Sequence, residues 1–87
     1  MEDNPQALDA ILNAVQQQLE SPESPYVREH YDRLIASGEE HDKVMQMLGS
    51  VLAIEMWEMS TLKRDFDEST YISRLTELPQ QSWQNED

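Results

Sequence analysis

The sequence predicts an all-α fold: a small four-helix arrangement in which an N-terminal helical arm joins a three-helix core around a long central helix. Three observations point there. Between Val44 and Met59 the chain reads V-M-Q-M-L-G-S-V-L-A-I-E-M-W-E-M, apolar around most of a helical circumference. In 87 residues there are two glycines and no run that alternates apolar and polar residues as a half-buried strand would. Prolines and capping residues divide the chain into segments whose apolar side chains recur at three- and four-residue spacing.

The first helix is expected to start with Asn4 as N-cap and Pro5 at its first position, with Leu8, Ile11, Leu12, Val15 and Leu19 on one stripe. Residues 1–20 read as an amphipathic arm. Ser21-Pro22-Glu23-Ser24-Pro25 then reads as a linker, because its prolines cannot continue a helix. Ser24 and Pro25 suit the N-cap and first position of the second helix. Val27, Tyr31, Leu34 and Ile35 would face inward, and Gly38 stands where a left-handed C-cap belongs.

The third helix is expected from about Glu40 to about Lys63, roughly 36 Å long. Val44, Leu48, Val51, Leu52 and Met59 gather on one side; Met47 and Ile54 flank it, and Met45 and Met56 widen it the other way. Gln46, Gly49, Ser50 and Ala53 mark a weaker face of smaller residues, and Trp57 falls at its edge. Lys63 and Arg64 suit the negative end of the helix dipole. In the fourth helix Asp67 is the expected cap, with Phe66 and Tyr71 as a hydrophobic staple. Tyr71, Ile72, Leu75 and Leu78 would form the buried stripe before Pro79 stops it. The core module is then residues 26–79, and residues 80–87 read as a disordered tail, polar apart from Trp83.

The outer helices of the core are too short to cover all apolar sides of the third. The arm must help, either folded back on its own chain or crossing to a second copy in an interlocked dimer. Leu8, Ile11, Leu12, Val15, Met47, Ile54 and Trp57 are therefore the candidate interaction residues.

Eighteen acidic and six basic residues leave a net charge of −12. Residues 1–25 contain no Lys or Arg, and residues 39–60 set Glu39, Glu40, Asp42, Glu55 and Glu58 against Lys43 alone. Such a field repels phosphate backbones and anionic lipid heads, so direct nucleic-acid or membrane binding is not expected. With no basic leader segment and no apolar run near the roughly 20 residues that span a bilayer, a cytoplasmic location is expected.

Glu55 is the one acid inside the apolar sector. It is expected to be buried and paired with Arg33, Arg28 or Arg74, or to accept a hydroxyl from Tyr31 or Tyr71. Paired with Glu58 on a bundle helix it could instead hold a metal, but no Glu is followed three residues later by His, so no metal site is expected. His41, among Glu39, Glu40 and Asp42, reads as a surface residue. With no Cys, no nucleophile elbow and no glycine-rich phosphate loop, neither catalytic nor cofactor-binding residues are expected.

The order Pro25, Val27, Tyr31, Arg33-Leu34, Gly38, Val51-Leu52, Glu55, Phe66-Asp67, Tyr71, Leu75 and Leu78-Pro79 resembles a short helical module that recurs in uncharacterised bacterial proteins. The resemblance spans about residues 25–79 and implies a helical fold without an assigned activity. Lys43 departs from it, standing where a small apolar residue is expected.

The functional expectation is a protein-protein interaction module, self-associating as a homodimer and without catalytic chemistry. The alternative is an acidic nucleic-acid mimic that occupies the basic groove of another protein.

Overall fold

The computed structural model describes residues 5–80, with side chains from residue 9 onward. Among the described residues there are four helices: α1 (Pro5–Glu20), α2 (Pro25–Ala36), α3 (His41–Leu62) and α4 (Glu68–Glu77). The expected cap Asn4 and the expected tail beyond Gln80 lie outside the described residues, as does the side chain of Leu8.

Local chemistry sets most of the helix ends. After α2, Gly38 takes a φ of 106°, which a side chain would oppose. This turn lets the Glu39 N–H bond the Leu34 carbonyl at 3.1 Å and the Gly38 N–H bond Ile35 at 3.0 Å, a Schellman closure. Asp67 caps α4 by accepting the Thr70 N–H at 3.2 Å, and the rings of Phe66 and Tyr71 meet edge-on at 5.2 Å as the staple requires. Helix α3 ends at Lys63, whose φ of 57° is left-handed although the residue is not glycine.

Ser24 departs from expectation. It occupies the N-cap position of α2, but its side chain makes no capping bond. Its hydroxyl instead donates to the Gln18 carbonyl at 3.2 Å, while the Ser21 N–H donates to that same carbonyl at 3.2 Å. The two serines satisfy the C-terminal end of α1 and fold the linker into a tight turn.

That turn places α1 across its own α2 and α3. The Cα radius of gyration is 12.8 Å, against about 12 Å for a compact chain of this length. Val15 and Leu19 enter the same core as Val27, Leu34, Val44, Leu48, Val51, Leu52, Tyr71, Leu75 and Leu78. Helix α1 is thus a full member of the bundle. Gly49 makes the crossing close: a Cβ there would lie 3.2 Å from Ile11 Cγ2 and 3.6 Å from Leu12 Cδ2. Gly49, expected on the face of smaller residues, is therefore covered by α1.

The side chains of Tyr71 and Arg33 tie the helices together. The Tyr71 hydroxyl, fully buried, donates to Gln18 Oε1 at 2.7 Å and ties α4 to α1. Arg33 reaches from α2 to donate to the carbonyls of Leu75 and Leu78 at 3.1 and 3.0 Å. It places a cation at the negative end of α4, where the dipole favours one. Ile35, expected to face inward, is 37% exposed, because α4 approaches α2 on the Arg33 side.

Candidate interaction surface and the buried carboxylate

Helix α3 carries Glu55 about two turns from its end, with its side chain fully buried. Its partner is Arg64. The left-handed turn at Lys63 reverses the chain, and the guanidinium folds back to bond both carboxylate oxygens at 2.7 and 3.0 Å. The Asp67 N–H completes the set at 2.8 Å. None of the partners expected from the sequence, Arg28, Arg33, Arg74, Tyr31 or Tyr71, bonds Glu55. Arg33 is committed to the end of α4, and Arg74 belongs to the neighbouring acid.

Glu58 accepts from Arg64 at 2.8 Å and from Arg74 at 3.2 and 2.9 Å. The four side chains form an alternating row, Glu55–Arg64–Glu58–Arg74, whose formal charges cancel. It clasps the end of α3 to the turn and to α4. The Arg64 guanidinium holds the Glu55 carboxyl below the ordinary glutamate range, against the upward push of burial, and the Asp67 N–H assists. Arg74, then Arg64, lowers Glu58 likewise. A metal at these carboxylates would have to displace two guanidinium groups, and among the described residues no group of three potential ligands converges.

The histidines lie apart from this row. His30 Nδ1 accepts from Arg33 Nε at 3.3 Å, and burial together with the Arg33 charge lowers its pKa. His41 Nδ1 lies 2.8 Å from the Tyr31 hydroxyl, with the two rings edge-on.

Of the candidate interaction residues, Val15 is buried in the core and Ile11 and Leu12 pack against it, with α1 folded back in cis, one of the two arrangements open to the arm. Met47 and Ile54 are half-buried, and Trp57 is 63% exposed. Helical geometry sets Ile54 and Trp57 beside Gln46, Ser50, Ala53 and Thr61 on the outer side of α3. None of these carries a charge.

A second apolar surface lies apart from this strip. Met56 is 49% exposed and Phe66 is 40% exposed. Both line a groove of about 590 Å³ between the α1–α2 turn and the α3–α4 junction, with Tyr26 and Leu52 beside them. The periodicity of α3 had assigned Met56 to the core, and the staple had accounted for Phe66. No described helix is long and apolar enough to cross a membrane. In comparisons with known proteins, no family model, no curated protein and no solved structure matches the chain.

Proposed function

We propose that this chain is a small acidic protein-contact module that associates with a second copy of itself through the outer face of α3 and carries out no catalytic chemistry. The observation that supports it is the uncharged strip of Gln46, Ser50, Ala53, Ile54, Trp57 and Thr61 on a chain of net charge −12. Two such chains repel over most of their surfaces. They can approach closely only where acids are absent, and this strip also presents an exposed tryptophan, a residue type enriched at contact centres. Small Ser50 and Ala53 beside bulky Trp57 and Ile54 allow two copies of α3 to interdigitate about a twofold axis.

Sedimentation equilibrium at micromolar concentration tests the reading. The expected mass is twice the 10.2 kDa of one chain, with dissociation on dilution. Raising salt from about 50 mM to about 500 mM should strengthen the dimer by screening the repulsion. Trp57→Glu places a charge in the strip and should yield a monomer of unchanged helicity. A wild-type mass of one chain at every concentration and salt level refutes self-association.

A further inference from the structure

The groove between the α1–α2 turn and the α3–α4 junction is a second surface, built differently from the α3 strip. Its floor is Leu52, its apolar walls are Met56, Phe66 and Tyr26, and its charged lining residues are Glu23 and Glu68. No Lys or Arg lines it. We infer that this groove receives a basic, amphipathic peptide segment of another protein, its apolar side chains against Met56 and Phe66 and its Lys or Arg side chains against Glu23 and Glu68.

The walls are held in place before anything binds. Phe66 lies edge-on to Tyr71 at 5.2 Å, and Tyr26 lies edge-on to the same ring at 6.1 Å. Tyr71 is itself fixed by burial and by its bond to Gln18. Docking therefore orders little backbone, which lowers the entropic cost of binding. Met56 supplies the adaptable part of the wall, since a thioether on an unbranched chain repacks easily around different apolar groups. The volume of about 590 Å³ falls within the roughly 300–1,000 Å³ typical of ligand sites.

Charge selects the occupant. A second copy of this chain would bring a net charge of −12 to a groove whose charged side chains are both acids. The chain's own residues 81–87, Q-S-W-Q-N-E-D, offer Trp83 as an apolar anchor but pair it with Glu86 and Asp87 and no base. A segment with basic side chains around apolar ones meets no such penalty and gains from both glutamates.

The test is selection of a random peptide library displayed on phage against the whole chain, followed by amide chemical-shift mapping of a selected synthetic peptide. The expected peptides combine Leu or aromatic residues with flanking Lys or Arg. Their shifts should centre on Gln18, Ser24, Met56, Phe66 and Glu68, and their affinity should fall with added salt, opposite to the dimer. Reversal of both rim acids, Glu23→Lys with Glu68→Lys, should weaken binding by about tenfold or more. Because Glu68 also lies in the first turn of α4, the neutral pair Glu23→Gln with Glu68→Gln is measured beside it and should show a smaller loss. Trp57→Glu should leave peptide affinity unchanged, which separates this inference from the self-association reading. No enrichment, peptides without basic residues, shifts centred elsewhere, or affinities unmoved in both rim variants would overturn it.

Discussion

Replacing Glu55 probes the clasp at the end of α3 most directly. The carboxylate is fully buried and takes three strong bonds, two from Arg64 and one from the Asp67 N–H. Glu55→Ala removes them all and leaves the Asp67 N–H without its acceptor. An unsatisfied buried donor costs about 1–3 kcal/mol, and the space vacated by the side chain adds a cavity cost. Relief from burying a charge offsets part of this. The net expectation is a loss of about 2–4 kcal/mol, a large share of the roughly 4–13 kcal/mol available to a domain of this size. The melting temperature should fall by on the order of 10–20 °C.

Glu55→Gln keeps an acceptor for the Asp67 N–H and nearly the same shape. It should lose only about 1–2 kcal/mol. Arg64→Ala acts from the other side, stranding a buried carboxylate, and should melt below Glu55→Gln. Urea unfolding of the three variants beside the wild type measures the order. If Glu55→Ala proves as stable as Glu55→Gln, the bond to Asp67 contributes nothing and the account of the clasp fails.

Acid should unfold the protein through the same row: Glu55 and Glu58 titrate below the ordinary value of 4.5 when folded, so the unfolded chain binds more protons in that window and stability drops as the pH drops through it. The stability they contribute is complete above about pH 4.5 and disappears as pH drops through their folded values, so Glu55→Gln should show a shallower acid limb in urea melts taken across pH. At the α1 crossing, Gly49→Ala should stay within about 1 kcal/mol of wild type, helix propensity offsetting a tight contact with a side-chain end that can shift. Gly49→Leu should cost about 1–3 kcal/mol by forcing α1 off α3, and equal thermal melts for the two would show that the helices do not cross closely there. Lys63→Gly should raise stability by up to about 1 kcal/mol, because glycine relieves the left-handed turn, whereas Lys63→Val should lower it; a valine variant as stable as wild type would contradict the left-handed φ.

Helix number, order and most boundaries were legible in the residues themselves. Gly38, Asp67 and the Phe66–Tyr71 staple each act on residues only a few positions away, so local spacing alone determines the structure they make. The same holds for the apolar stripe of α3, where Val44, Leu48, Val51 and Leu52 are buried as their period requires. That Glu55 would be buried followed from its place in that stripe.

Which neighbour covers which part of the stripe was decided only in three dimensions. Period tells that a face is apolar, but not whether α1 returns to it in cis, a return in which Ser24 bonds Gln18 instead of capping its own helix. It is also why Gly49, read as part of a weak outer face, lies under Ile11 and Leu12 while Met56, read as core, stands open beside Phe66. The partner of Glu55 was hidden for a related reason. Arg64 looked like a cation for the helix dipole, and only the backbone reversal at Lys63 turns its guanidinium onto the buried carboxylate. Interactions between residues close in sequence are set by local geometry, whereas the pairing of distant or reversed segments depends on crossing angles and turns that spacing does not encode.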